Sequence, residues 1–380
     1  MPANHQRIAE AHLVVGEPLP WDVYDQQGHL LLRKGFVLES DAQIERLIDT
    51  GLYVDRDELA ATEKAASEGE GAQSAVMPLL QAREKLETMP QLLKSPTPQL
   101  NETIGDIAKL IQRACQINTD IALAFIQQRQ KGSYAVRHHA DCAILACVLG
   151  RSMKLAEPDL HSLLCAALTM NLGMIEVQDK LNTITGELAP AVKTAIRGHP
   201  RKGRDILHLA TVADDLWLEI VMQHHEAEDG SGYPVGLKGD QITLCAKLLN
   251  IADRYCARIS VRGERAVALP NAVLRDILLE SGHAIAPEIA AHFIKIIGIY
   301  PPGTMVRLAN GEIGVVSKRS DNTATPWVHS VIGPFGVDLE FPIRRKTSEA
   351  LYTIREAVDS RKYRMPFRMY PVWGKEAAGG

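Results

Sequence analysis

The chain has 380 residues, of which 46% are hydrophobic and 23% charged. Those are globular proportions, and the length suggests two or three domains. With 42 Lys and Arg against 46 Asp and Glu, the net charge is -4, which argues against a bulk nucleic-acid binder or a polybasic membrane protein and leaves room for a small basic site for a phosphate ligand.

The first residues, MPANHQRIAEAHLVV, hold no long apolar stretch and no small-residue cleavage site, so no signal peptide is expected. Residues 1–60 read as a small α+β module. Val14 to Leu32 alternates and breaks at Pro18, Pro20 and Gly28, giving short strands and turns. Ser40 starts a helix, with Gln43 completing a capping box and Ile44, Leu47 and Ile48 as its apolar stripe. Residues 61–100 are expected to be a linker, flexible over ATEKAASEGEGAQSA.

Residues 101–300 read as all-helical. Ile104, Ile107, Ile111, Cys115 and Ile121 recur at helical spacing over 101–130, a core or dimer stripe that allows a homodimer. Further helical patterns lie at 139–155, 159–171, 188–198, 200–209, 214–225, 242–259, 271–281 and 286–297. The longest apolar run, Ala143 to Gly150, is too short to span a bilayer. Six cysteines form no C-x-x-C pair, which fits buried reduced thiols in a cytoplasmic protein. After Tyr300-Pro301-Pro302-Gly303, residues 301–345 read as a small β appendage with Asn310-Gly311 as a tight turn. Residues 346–358 read as a last helix before the tail that ends at 380.

One segment carries chemistry. Residues 224–239 are His-His-Glu-Ala-Glu-Asp-Gly-Ser-Gly-Tyr-Pro-Val-Gly-Leu-Lys-Gly. The pattern HHExxDGxGYPxGLxG, followed by Ala246-Lys-Leu-Leu-Asn-Ile-Ala-Asp253, resembles the HD-GYP family over about residues 130 to 310. The resemblance implies a mostly α fold: an all-helical HD-superfamily domain with the small module before it and the β appendage after it. It also implies a metal cluster and hydrolysis of the bacterial messenger cyclic di-GMP to the linear dinucleotide pGpG or GMP.

The family's metal ligands fall on His138, His199 in His-Pro-Arg-Lys-Gly203, His224, His225 and Asp253. Imidazole and carboxylate suit divalent iron, manganese or zinc. By the resemblance, His199, His224 and His225 hold one metal and His138 and Asp253 the other. The name-giving His-Asp pair does not match. Its register falls on Met170-Asn171-Leu-Gly173-Met174, where only the glycine persists. The glutamate that serves a third metal in some members is Tyr134 here. Two dications about 3.5–4 Å apart repel by on the order of 20 kcal/mol of raw Coulomb energy at an effective dielectric of about 20. A bridging carboxylate offsets much of that and a neutral Asn171 does not, so one ion or none is expected rather than two.

Arg262 and Arg265 fall where the family contacts ligand phosphates, and guanidinium suits a dianionic cyclic dinucleotide. The loop of Asp229, Gly230, Gly232, Tyr233 and Pro234 has glycines for unusual backbone angles and a stiff exit. In the family it serves signalling-protein contacts. Nothing points to DNA or RNA, to a membrane, or to Ser-His-Asp, P-loop or dinucleotide-fold chemistry. His139 is expected on a different helix face from His138, and the remaining scattered histidines carry no role. Three readings stay open: a phosphodiesterase with reduced or lost activity, a non-catalytic cyclic di-GMP receptor or scaffold, and a hydrolase of another phosphate ester.

Overall fold

The structure, a computed structural model, describes residues 4–8, 12–13, 16–40, 43–44, 47, 52–68, 74–92, 97–128, 133–175, 178, 189–260, 268–363 and 369–379. The chain divides into two compact units, Pro78–Gly303 and the combination of Met1–Met77 with Thr304–Gly380.

In chain order, the N-terminal part carries strands β1 (His5–Arg7), β2 (Val23–Tyr24), β3 (Leu30–Leu32) and β4 (Tyr53–Asp55) and helix α1 (Arg56–Glu68). The strands form an antiparallel sheet in the order β1-β4-β2-β3. Trp21, Val23, Leu38 and Val54 are buried under it. The turn between β2 and β3 forms because the Asp25 carboxylate accepts from the backbone N–H groups of Gln27 and His29. Ile44 joins this core as expected, and Ile48 lies outside the described residues. The linker expectation needs correction. Residues 61–68 continue α1, because Asp57 and Glu58 favour its first turn and the alanines that follow are strong helix formers.

The helical unit follows: α2 (Val76–Glu87), α3 (Met89–Leu92), α4 (Pro98–Ile117), α5 (Thr119–Ile126), α6 (Tyr134–Ser152), α7 (Glu157–Thr169), a short 3-10 turn (Leu172–Met174), α8 (Pro190–Leu209), α9 (Asp215–Gln223), α10 (Leu244–Ile259), α11 (Pro270–Leu279) and α12 (Pro287–Ile297). The single helix expected over 101–130 breaks at Asn118, whose side chain accepts from the N–H groups of Asp120 and Ile121 and caps α5. Helix α6 is the centre of the unit. It packs against α4, α7 and α10 and is buried nearly all round from Tyr134 to Gly150. The stripe from Ile104 to Ile121 is 0–2% exposed. The unit's own core uses that face, so it offers nothing to a second copy. No helix among the described residues is long and apolar enough to cross a membrane.

The C-terminal part carries β5 (Met305–Leu308), β6 (Ile313–Lys318), β7 (Trp327–Ile332), β8 (Asp338–Lys346), β9 (Ile354–Ala357) and the one-turn helix α13 (Tyr370–Trp373). These strands form an antiparallel sheet in the order β8-β7-β6-β5-β9. The Asn310-Gly311 turn is present, with Gly311 at φ +93°. The helix expected over 346–358 is instead the end of β8, a 3-10 turn and β9. Strand β9 finds an unpaired edge on β5, and that ladder outweighs local helix preference. Residues 1–77 and 304–380, each with its own sheet, group into one of the two units.

Candidate metal centre

His199 sits inside α8 beside Pro200. A break was expected there, because proline has no N–H and clashes with the preceding turn. The helix runs through. Pro200 leaves the Ile196 carbonyl without its helical donor, and the His199 Nδ1 donates to that carbonyl at 2.5 Å. A carbonyl only accepts, so the proton is on Nδ1 and the lone pair on Nε2.

His224 and His225 follow the last turn of α9. That helix is capped by Asp214, whose carboxylate accepts from the Trp217 N–H. It is pinned to α7 by the Trp217 indole donating to the Thr169 hydroxyl at 2.7 Å. His224 repeats the geometry of His199: its Nδ1 donates to the Val221 carbonyl at 2.7 Å. The two Nε2 atoms then face each other 3.1 Å apart. Two lone pairs at that distance repel unless a cation lies between them. The His225 ring lies 4.1 Å from His224 and 5.0 Å from His199, centre to centre. One ligand nitrogen from each of the three lies within 4.8 Å of the others. Burial holds His199 down to about pH 3, with the His224 charge adding to it. Burial also lowers His224, and lowers His225 well below the ordinary value. All three are therefore neutral near pH 7, the form that can hold a metal.

A second group lies on α6 and α10. His138 Nε2 is 2.7 Å from the Asp253 carboxylate. Burial works to raise the Asp253 carboxyl, but the His138 hydrogen bond and charge outweigh it and hold the group low. Cys142, one turn along α6, brings its Sγ to 3.7 Å from His138 Nε2. The three ligand atoms lie within 4.8 Å of one another. Sequence reasoning passed over Cys142, although its i, i+4 spacing from His138 was a usable signal. Tyr134, at the place of the missing glutamate, stacks on the His138 ring at 5.2 Å and 14°.

The Met170-Asn171 position is wholly buried. Asn171 Oδ1 has no hydrogen-bond partner among the described residues. The 3-10 turn that follows packs on α8. A Cβ on Gly173 would lie 2.2 Å from the His199 carbonyl oxygen and 2.9 Å from the Gly203 nitrogen. That contact is the physical reason for glycine at 173, whatever the residues at 170 and 171 do.

The loop after the histidines is held by Glu226, a residue given no role from sequence. Its buried carboxylate accepts from the N–H groups of Val235, Gly236 and Leu237 at 2.8–2.9 Å. Asn250 donates to the carbonyls of His224 and Glu226, fixing the turn between them. Gly230 has φ +84°. Gly232 passes so close that a Cβ would meet the Ala227 nitrogen at 2.4 Å. Asp229 accepts from the Ser231 N–H, a contact internal to the loop. The Tyr233 ring lies 4.7 Å from the His225 ring and brings Pro234 with it. Arg197 sits over Tyr233, and Arg201 donates to the Pro234 carbonyl.

Arg262 and Arg265 lie outside the described residues. His139, the next residue along α6, lies 1% exposed with its ring 6.4 Å from that of His138 and belongs to neither group. Burial holds it at about pH 3, and its Nε2 has no partner among the described residues.

Comparison with known proteins adds relatives to this geometry. A family model described as HD domain matches residues 86–289. A cyclic di-GMP phosphodiesterase of Pseudomonas aeruginosa, PA4108, is 26% identical over 76% of this chain and 75% of its own length. A 3'3'-cGAMP-specific phosphodiesterase of Vibrio cholerae is 30% identical over 45% of this chain. The cyclic di-GMP phosphodiesterase response regulator RpfG of Xanthomonas campestris is 26% identical over 55% of it. The match spans 37% and 54% of those last two relatives. Among solved structures, the HDG"Y"P protein Bd1817 of Bdellovibrio bacteriovorus aligns with a TM-score of 0.48 at 16% identity, covering 76% of this chain and 98% of that one.

Proposed function

The chain belongs to the HD-GYP family of HD-domain proteins, and on that premise we propose that it is a cyclic di-GMP protein whose His199, His224 and His225 hold a divalent iron, manganese or zinc ion. The observation that carries this reading is the pair of Nε2 lone pairs on His199 and His224, 3.1 Å apart. Both rings are turned there by Nδ1 hydrogen bonds to backbone carbonyls. A bound ion of this kind polarises a phosphate oxygen and lowers the pKa of its water. The remaining work falls to the chain. Tyr233 covers His225 and excludes solvent from one side. Arg197 and Arg201 place guanidinium charge beside the loop, which suits a dianionic dinucleotide. Arg262 and Arg265 are proposed as further phosphate contacts. The relatives named above act, by their names, on cyclic di-GMP or 3'3'-cGAMP, so the ligand class is a cyclic dinucleotide.

Met170 and Asn171 offer neither a hard imidazole nor a bridging charge. Hydrolysis to pGpG or GMP is therefore reduced or lost. The unpartnered Asn171 Oδ1 also favours a second reading, a cytoplasmic receptor that binds cyclic di-GMP without cleaving it and signals to protein partners through the Asp229–Pro234 loop. The test is chromatography of pGpG and GMP after incubating cyclic di-GMP with protein purified without oxygen and loaded with ferrous iron or manganese. Slow product formation that His224→Ala abolishes supports the enzyme. Product that appears only after Met170→His with Asn171→Asp supports the receptor.

A further inference from the structure

Asn250, Arg254 and Arg258 recur at every fourth residue of α10 and share one stripe of it. Asn250 is buried, and its amide nitrogen donates to the His224 carbonyl at 2.8 Å and to the Glu226 carbonyl at 3.2 Å. Its oxygen accepts from the Arg254 Nε at 2.8 Å. The Arg254 Nη1 donates to the Glu280 carboxylate at 2.8 Å, and Arg258 donates to the other oxygen of that carboxylate. Glu280 follows the last turn of α11. Its backbone carbonyl accepts from the N–H groups of His283, Ala284 and Ile285. The carbonyls of Ala284 and His283 accept in turn from the N–H groups of Glu228 and Asp229. Glu280 therefore reaches the segment that starts at the two histidines by two routes, through side chains to His224 and Glu226 and through backbone to Glu228 and Asp229.

A side-chain amide can turn either its nitrogen or its oxygen to a neighbour. Arg254 removes that choice. Its Nε is a donor only, so the Asn250 oxygen faces it and the Asn250 nitrogen faces the two carbonyls. The guanidinium is planar, and Glu280 holds a second of its donors, which fixes the direction of the first. We propose that Arg254 and Glu280 are positioning residues of the metal centre, setting the turn that carries His224 through Asn250. The proposal rests on the reading that His199, His224 and His225 hold an ion, and it adds two residues that are not ligands. Arg254 is close enough to His225 and Tyr233 for its charge to act on both. A guanidinium that only stood near the ion would repel it, so its removal would tighten metal binding. A positioning role has the opposite sign.

The test is zinc affinity of the full chain by competition with a chromophoric chelator, read on the equivalent that His224→Ala removes. Arg254→Met and Glu280→Ala weaken that equivalent by on the order of tenfold, and Asn250→Ala weakens it at least as much. Arg254→Met combined with Asn250→Ala binds no more weakly than Asn250→Ala alone, because the two act in series. Arg275→Ala, on α11 with Asp276 as its ion-pair partner, keeps the wild-type affinity. Unchanged or tighter binding in Arg254→Met would overturn the proposal, and so would losses that add in the double variant. A wild-type chain with no zinc equivalent dependent on His224 would overturn the three-histidine reading, and the proposal with it. Should Arg254→Met not fold, Glu280→Ala decides by the same affinity, since that side chain is 29% exposed at a helix end.

Discussion

His199 and His224 are turned toward each other by the same device: each Nδ1 donates to a backbone carbonyl three residues earlier, and the two Nε2 atoms meet at 3.1 Å. In α8 the carbonyl is free because Pro200 has no N–H to give it. In α9 it is free because the helix ends there. Two chain irregularities therefore fix two tautomers, and their shared product is a pair of lone pairs that calls for a cation.

The first prediction concerns pH. Three free imidazoles with ordinary pKa values near about 6.5 would each lose about tenfold in availability at pH 5.5, or about a thousandfold together. Here burial holds His199 at about 3 and lowers the other two. Metal affinity of the folded chain should change by less than about tenfold between pH 7.5 and 5.5, measured by competition with a chelator of known pH dependence. The metal-free chain should respond differently. A histidine whose folded pKa lies below its unfolded value takes up its proton more readily on unfolding. Its contribution is fully present above about pH 6.5 and is lost as pH falls toward about 3. Denaturant midpoints of the metal-free chain should decline across that window.

Gly173→Ala is the second. The added carbon has nowhere to go except the His199 carbonyl, 2.2 Å away, and both neighbours are backbone. A loss of about 1–3 kcal/mol in unfolding free energy is expected from overpacking, together with weaker metal binding because His199 must shift. A change within about 0.5 kcal/mol would mean the turn moves away at little cost.

Glu226 offers a third test. Its carboxylate is the acceptor for three consecutive N–H groups. Glu226→Ala should raise amide hydrogen exchange at Val235, Gly236 and Leu237 while leaving α6 and α10 protected. A cost of about 1–3 kcal/mol is expected, since the loop can recover part of the loss from water. Tyr233 should lose its position over His225, which near-ultraviolet circular dichroism would report.

A fourth prediction follows from Asn171. Its carbonyl oxygen is buried and has no partner among the described residues, so Asn171→Leu, close in volume and without a polar atom, should be neutral or stabilising in the metal-free chain. Asn171→Asp without metal should destabilise it, because it buries an unpaired charge, and added metal should recover more stability in that variant than in the wild type. Thermal unfolding with and without manganese checks both.

Much of this was legible in the chain itself, and the reasons for success and failure differ by residue. His199, His224, His225, His138 and Asp253 could be placed because their spacing follows a motif, and the structure gathers them into two neighbouring groups. The helix through Pro200 was not legible, because it depends on a side-chain hydrogen bond from the residue before the proline. Strand β9 was read as helix because its only advantage is a partner edge on β5, fifty residues away in sequence. Glu226 and Cys142 act through contacts with a loop and with a ring one turn away, and neither residue type announces that use.

The claim at the centre is that His199, His224 and His225 hold one ion. Equilibrium dialysis against ferrous iron without oxygen, comparing the wild-type chain with His224→Ala, measures it directly. The account predicts one equivalent fewer bound in the variant, with the helical content unchanged by circular dichroism. Equal binding in the two, or none in the wild type, would contradict it.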